Sequence, residues 1–341
     1  MHSFKLTLVK VISFILVFTL VCTPSLIYYF KYGSENNNYK PELYDQNGKI
    51  DFLFCGASQS VWGFVPEVMD DLCNVNSFNI SSGLLSWEGR YTIIKEVVEN
   101  NPVKTLVMDL SYNSLEKSRD TDSIEGTILL SEHLSFKSRV NFTMKNLSID
   151  DTAVYVGYIL RTGSYGLLKS IFSKEQRSPE FAGKGYWSGK QPVSFVGKVY
   201  WQEGTYPEYK QYDCDSESIA YLGKIMEYCE QKDIAVYLVT TPYPTRVISW
   251  SDRNGVLDVN KEIAQTYGCI LYDLNLYKDK DKFFNDETSY YDEEHLSTEG
   301  AVSCTKLLAK LINEKNIGIA GDDDFYQNYN ELVDDYFEKT N

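Results

Sequence analysis

Short apolar runs alternate with longer amphipathic stretches along most of this chain. Residues 52–55 and 234–240 are examples of such runs. They are typical of strands buried on both faces of a parallel sheet, whereas apolar residues at helical spacing are typical of helices packed on that sheet. The pattern predicts an α/β fold with three layers, in which helices cover both faces of a doubly wound parallel sheet.

The predicted strands and helices account for most of the chain outside one internal segment. Strands are predicted at 52–55, 77–81, 105–110, 234–240 and 269–274, and helices at 66–73, 87–100, 216–231, 254–267 and from Ser297 or Thr298 to 312. Ser297 or Thr298 suits a helix start, because a side-chain oxygen at that position accepts a hydrogen bond from a first-turn N–H group.

The alternation breaks between residues 116 and 211. This segment includes the Gly/Ser/Lys-rich residues 173–191 and many tryptophans and tyrosines. We interpret it as an insertion over the carboxyl ends of the strands, where loops shape specificity. Its aromatic rings either form the insertion's own core or offer faces on which sugar units stack. His133 falls in a helix-like part of the insertion and is expected to be a surface or packing residue.

The N-terminal residues are far more apolar than the rest. Residues 11–30 contain no charged side chain, and at ~1.5 Å per residue a helix of this length crosses ~30 Å of hydrocarbon. No clear cleavage site follows, so a membrane anchor over residues 1–32 is favoured, while a cleaved signal peptide stays open. Tyr28, Tyr29 and Phe30 are predicted to form an aromatic belt at the membrane interface.

The remaining segments complete the predicted organisation. Residues 33–48 are polar and are interpreted as a linker that lifts the domain off the membrane. Residues 49–320 form the α/β domain with its insertion. Residues 321–341 are acidic and are predicted to be a flexible tail or a surface helix.

Composition narrows the classes of partner. The formal charge of −15 argues against a nucleic-acid backbone and is compatible with an exposed, soluble surface. The chain has seven cysteines, with no Cys-x-x-Cys pair and no metal-ligand spacing. A disulfide stays open, and neither a metal nor a cofactor is expected.

Two polar positions could carry nucleophilic chemistry. Gly56 allows a sharp turn after the first strand, which would expose the hydroxyl of Ser58 at the carboxyl edge of the sheet. A serine needs a base, and the base needs a carboxylate that orients it. His295, one of only three histidines, and Asp292 could supply both from one loop. The alternatives are an ordinary Gly/Ser turn and a polar loop that caps the next helix.

Three pieces of the chain resemble, in order, the motifs of the SGNH (GDSL-like) hydrolases and acyltransferases: Gly56-Ala57-Ser58, Gly83 and Asp292-x-x-His295. The resemblance covers roughly residues 51–116 and 213–316, and the family's usual Gly-Asp-Ser reads Gly-Ala-Ser here. With the apolar N-terminus, the chain looks most like the DltD-like branch, which acts on cell-surface polymers. The resemblance implies a flavodoxin-like sheet order and an extracytoplasmic catalytic domain.

The resemblance also implies roles for single residues. Ser58, His295 and Asp292 would form the triad, and the backbone N–H of Gly83 would bind the oxyanion. Asn113 is a further oxyanion candidate, but the family's Gly-x-Asn-Asp block lacks its glycine and its aspartate here, so an ordinary asparagine turn is the alternative.

The sequence therefore supports two hypotheses of different classes. In the first, the chain is a membrane-anchored serine acyltransferase or esterase that acts on acyl groups, such as D-alanyl or acetyl, of teichoic acid or another surface polysaccharide. It could work beside a multi-pass membrane acyltransferase. In the second, it is a catalytically silent accessory protein that binds such a polymer or such a membrane partner. The triad alone does not distinguish transfer from hydrolysis.

Overall fold

A five-stranded parallel sheet forms the centre of the molecule. The computed structural model describes residues 2–32, 42–43, 49–111, 114–116, 124–172, 181–196, 212–245, 253–320 and 323–340. The strands are β1 (Ile50–Cys55), β2 (Ser77–Asn79), β3 (Val103–Asp109), the short pair β4 (Phe181–Gly183) and β5 (Tyr186–Trp187), β6 (Ala235–Thr240) and β7 (Ile270–Asp273).

Helices connect and cover these strands. In chain order they are α1 (His2–Tyr32), α2 (Ser58–Val61), α3 (Pro66–Cys73), α4 (Trp87–Asn100), α5 (Ile124–His133), α6 (Phe136–Asn146), α7 (Ile149–Phe172), α8 (Ser216–Gln231), α9 (Arg253–Tyr267), α10 (Thr298–Asn313) and α11 (Tyr329–Thr340). The predicted helices at 66–73, 87–100 and 216–231 coincide with α3, α4 and α8.

The strand order in the sheet is β2-β1-β3-β6-β7. The chain moves outward from β1 to β2 and then crosses back to β3, β6 and β7. Right-handed crossovers in opposite directions place their helices on opposite faces, so α3 and α4 lie on different sides of the sheet. Accordingly α3 packs against α10, and α4 packs against α8. The predicted α/β fold with a parallel, doubly wound sheet is confirmed.

The burial of the strands explains why apolar runs in the sequence predicted them. Leu53, Phe54 and Cys55 are fully buried in β1, and Val107 and Met108 are fully buried in β3. Strands covered on both faces need no polar alternation. Because β1 lies where the chain's winding reverses, its carboxyl end opens into the crevice where such sheets bind ligands.

The described part of the insertion is mainly helical. It contains α5, α6, α7 and the β4–β5 hairpin. Of the insertion's aromatic residues, Tyr186 is buried and Trp187 is half-buried, whereas Tyr200, Trp201, Tyr206 and Tyr209 lie outside the described residues.

Among the residues that the structure describes, one helix, over Thr7–Lys31 in α1, is long and apolar enough to cross a membrane. Its first half is exposed, but its last turns pack against α7 in the insertion. Tyr29 is fully buried and Tyr28 nearly so, which corrects the prediction that these rings form an interfacial belt. Gly163 and Gly166 of α7 leave room for Tyr29 and Tyr28. These two rings are therefore buried between the helices and do not lie at a lipid interface. The predicted linker lies outside the described residues except for 42–43.

The acidic C-terminal segment forms a packed helix where it is described. Tyr329, Leu332 and Val333 of α11 are buried. The Tyr329 hydroxyl donates to Asp273 Oδ2 at 2.8 Å, at the end of β7. The flexible-tail alternative is therefore wrong for residues 323–340, because an apolar stripe at helical spacing lies among the acidic residues. All seven cysteines are free.

Candidate active site

A tight turn after β1 positions Ser58. Ser60 and Val61 donate their N–H groups to the Ala57 carbonyl at 3.1 Å each, so helix α2 begins at Ser58 directly beyond the turn. A Cβ on Gly56 would lie 2.5 Å from the Asp109 Cβ and 2.6 Å from the Ser60 Cβ. Only glycine fits there without displacement of a neighbour, which gives the glycine of the sequence motif a steric reason.

A closed loop before α10 positions His295. The Tyr291 N–H donates to the His295 carbonyl at 2.9 Å, and Tyr290 pairs with Leu296 across the loop. Ser297 caps α10, because its hydroxyl accepts from the Gly300 N–H at 3.1 Å. The loop is thereby fixed at both ends.

The structure brings Ser58, His295 and Asp292 into one continuous hydrogen-bonded chain. The Ser58 hydroxyl lies 2.8 Å from His295 Nε2. His295 Nδ1 lies 2.9 Å from each carboxylate oxygen of Asp292. These are hydrogen-bond distances at both ring nitrogens. The His295 side chain is 16% exposed and that of Asp292 is 43% exposed, so the imidazole is largely shielded from water.

The carboxylate of Asp292 is held in its ionised form. Partial burial by itself raises the pKa of Asp292, but hydrogen bonds from the His295 ring and from the N–H groups of Glu294 and His295 outweigh it, and the pKa is lowered. Both N–H groups reach Oδ1 at 2.8 Å. An ionised acceptor behind Nδ1 keeps the proton on that nitrogen and leaves Nε2 free to accept one.

A second carboxylate, Asp109, lies beneath the turn that carries Ser58, and sequence analysis missed it. It is fully buried at the end of β3, and its carboxylate accepts the Ala57 N–H and the Ser111 hydroxyl, the latter at 2.5 Å. Buried Arg90 donates to the Asp109 carbonyl at 2.6 Å. Burial raises the pKa of Asp109, and the Arg90 charge and these hydrogen bonds act against that rise. The sequence feature that could have indicated Asp109 is the position of an acidic residue inside the otherwise apolar predicted strand 105–110.

Of the two predicted oxyanion donors, Gly83 and Asn113, the structure describes only Gly83. The Ser82 N–H donates to the Gly56 carbonyl at 3.2 Å, which brings the turn containing Gly83 beside the turn that carries Ser58. Asn113 lies outside the described residues.

A cavity of about 510 Å³ lies close to the His295 imidazole. Trp62 joins the two, because it lines the cavity and its ring meets the His295 ring edge-on with centroids 5.0 Å apart. Lys190 Nζ lies 4.2 Å from the ring centroids of both Trp62 and Tyr291. Further walls come from the turn after β2, from α5 and from the hairpin: Ser81, Gly83, Glu132, His133 and Trp187. No sequence motif indicated Trp62 or Lys190.

Helix α1 reaches this wall of the cavity. The hydroxyls of Tyr29 in α1 and Tyr158 in α7 donate to Glu132 Oε1 at 3.2 and 3.0 Å. Glu132 itself lines the cavity. Within the described residues, no cluster of three or more His, Cys, Asp or Glu side chains could hold a metal ion.

Comparisons with known proteins return distant structural neighbours. No family profile matches the chain, and no curated protein matches it significantly. A proposed acylhydrolase from Bacteroides fragilis aligns at 12% identity over 81% of this chain and 95% of its own, with a TM-score of 0.38. An acetyl xylan esterase from Geobacillus stearothermophilus aligns at 12% identity over 81% of this chain and 99% of its own, with a TM-score of 0.37. At these values the neighbours carry no argument about this chain's activity.

Proposed function

We propose that this chain is a serine esterase or acyltransferase of the SGNH type. The observation that carries the proposal is the hydrogen-bonded chain from Ser58 through His295 to Asp292. The motifs that contribute these residues lie more than two hundred positions apart. A polar loop that merely caps α10 would not require an imidazole within hydrogen-bond distance of a serine at the end of β1.

The geometry supports a two-step acyl transfer. Ser58 Oγ attacks the ester carbonyl carbon while its proton passes to His295 Nε2. The tetrahedral intermediate then expels the alcohol, which takes that proton, and an acyl-serine remains. Water or a polymer hydroxyl next gives its proton to His295 Nε2 and attacks the acyl carbon. The second tetrahedral intermediate then expels Ser58 Oγ, which takes that proton back from His295. Asp292 holds the imidazole and stabilises its protonated form.

The developing oxyanion needs backbone donors. We assign this role to the N–H groups of Ser58 and Gly83, because they lie on the two turns that the hydrogen bond from Ser82 N–H to the Gly56 carbonyl brings together. Asp109 is a positioning residue in this proposal: it lies beneath the turn, where the Ala57 N–H helps to lower its pKa.

The cavity and α1 support a proposal for the substrate class. Trp62, Trp187 and Tyr291 expose aromatic surface to the cavity, which suits a sugar ring, and Lys190 supplies a positive charge. We propose an acylated surface polysaccharide or teichoic acid, carrying acetyl or D-alanyl esters, as the substrate. In this proposal α1 crosses the cell membrane and holds the catalytic domain on its outer side, as in the DltD-like branch.

The test uses the full chain in detergent micelles. We expect a fluorophosphonate probe to label Ser58, and we expect p-nitrophenyl acetate to be hydrolysed. Ser58→Ala should abolish both signals, and His295→Ala should reduce both strongly. Equal labelling of the wild type and Ser58→Ala would remove Ser58 from the role. Absence of labelling and of turnover in the wild type would leave the accessory, non-catalytic protein as the explanation.

A further inference from the structure

One face of α7 packs closely on the apolar helix α1. The hydroxyls of Ser164 and Ser25 lie 2.8 Å apart. A Cβ on Gly163 would overlap the Ser25 carbonyl oxygen, and a Cβ on Gly166 would overlap the Tyr28 ring. The two helices therefore meet backbone to backbone, as helices with small residues at their interface do in membranes.

The two helices run antiparallel. Ser25 lies beside Ser164, whereas Tyr29, one turn further along α1, meets Tyr158, an earlier residue of α7, with ring centroids 6.1 Å apart. The last turns of α7 therefore extend back along α1, towards its exposed apolar half.

A second face of α7, over these last turns, is apolar and exposed. Its side chains are Tyr165, Leu168, Ile171 and Phe172, exposed by 68%, 56%, 65% and 86%. We call them the α7 stripe. Their spacing places them on one side of the helix. In α1, Phe18 and Val21 are also exposed, so both helices present apolar side chains to the surroundings.

Charge along α7 is also polarised. Asp150 and Asp151 lie in its first turn, and Lys169 lies in its last. The basic end is the end that runs alongside the apolar half of α1. Cations attract the anionic headgroups of a bilayer, so the distribution favours contact between this end and the membrane.

We propose that the α7 stripe inserts into the lipid interface beside α1. The protein would then contact the bilayer through two elements: α1 crosses it, and the last two turns of α7 lie in the boundary between headgroups and acyl chains. Two turns span about 11 Å, comparable with the depth that interfacial helices bury. This inference rests on the part of the proposed function in which α1 spans the membrane.

Photo-crosslinking to lipid tests the inference. The full chain carrying Phe172→benzoylphenylalanine is reconstituted in nanodiscs of phosphatidylglycerol and tritiated phosphatidylcholine and irradiated. Val17 in α1 and Ile317, which is exposed between α10 and the 3₁₀ turn Gly318–Ala320, receive the same replacement as positive and negative controls.

We expect a lipid adduct at Phe172 comparable with that at Val17 and several-fold above that at Ile317. Lipid labelling at Val17 with only background at Phe172 would overturn the inference and leave the anchor intact. A protein adduct at Phe172 in place of lipid would also overturn it, because a second copy or a protein partner would then cover the stripe. Background at both positions would overturn the inference together with the anchor, whereas esterase activity measured on the same samples reports separately on the triad.

Discussion

Replacement of Asp292 by asparagine should disable the imidazole without moving it. In the wild type, Oδ1 of Asp292 accepts two backbone N–H groups, from Glu294 and His295, at 2.8 Å each. An asparagine retains these bonds only with its carbonyl oxygen at the Oδ1 position. Its NH₂ group must then occupy the Oδ2 position, 2.9 Å from His295 Nδ1.

That arrangement favours the opposite tautomer. Nδ1 lies 2.9 Å from both positions, so it faces the NH₂ group as well as the carbonyl oxygen. When it accepts from the NH₂ group, the ring proton moves to Nε2, the nitrogen 2.8 Å from the Ser58 hydroxyl. A protonated Nε2 cannot take the serine proton. Loss of the correct tautomer in a triad lowers kcat by about 10⁴-fold, and each tenfold corresponds to about 1.4 kcal/mol of barrier, so the barrier rises by about 5 kcal/mol.

The assay is hydrolysis of p-nitrophenyl acetate by the full chain in detergent, with kcat and KM measured separately. We expect Asp292→Asn to lower kcat by about three to four orders of magnitude with little change in KM, because Asp292 lies behind His295. Glu294→Gln is the matched control: it makes the same chemical change on the same loop at an exposed side chain and should retain activity. A loss of less than tenfold in Asp292→Asn, with circular dichroism unchanged, would refute the tautomer argument.

Three further predictions concern stability. Gly56→Ala should lower the free energy of unfolding by about 1–3 kcal/mol in urea titration, because its Cβ collides with Asp109 and Ser60; an unchanged midpoint would contradict it. Gly163→Ala should lower the thermal midpoint of the full chain, because its Cβ meets the Ser25 backbone, whereas Gly157→Ala on the same helix meets nothing within 4 Å and should raise it. Equal midpoints in these two variants would argue against tight α1–α7 packing. Burial lowers the pKa of Lys280 to about 8 from its usual 10.5, so the unfolded chain binds more protons between those values and stability should rise with pH there, by about 3 kcal/mol. Lys280→Met should remove that rise in unfolding free energy, and an identical pH slope in both proteins would show that Lys280 is not responsible.

The sequence predicted best those elements in which a single property, such as hydrophobicity along a whole strand, determines the structure. Strands such as β1 and β3 are buried on both faces, so their apolar runs stand out, and Asn101-Pro102 marks the end of α4. The serine and the histidine of the candidate site were recognisable because motifs place them next to a strand and a helix start. Their meeting depends on the strand order, which the residue pattern alone does not give: the family resemblance implied a flavodoxin-like order, and the structure has the order β2-β1-β3-β6-β7.

The parts that sequence missed depend on contacts between distant segments. Asp109 was read as part of a buried strand, although its role comes from the Ala57 N–H of a different strand's turn. Lys190 lies between two rings that are far apart in sequence. The aromatic residues at the end of α1 were assigned to a lipid interface because nothing local indicated that α7 presents glycines to them.

The hydrogen bond between Tyr29 and Glu132 joins the end of α1, the proposed anchor, to the insertion of the α/β domain. If α1 crosses the membrane, the opening of the cavity keeps a fixed distance from the bilayer and a fixed orientation relative to it. Such an enzyme would not move along a long polymer. It would modify only the segment that reaches its fixed position, close to the cell surface. Peptidase removal of α1 would also strip one side from the domain, so a truncated, secreted form should lose integrity as well as location.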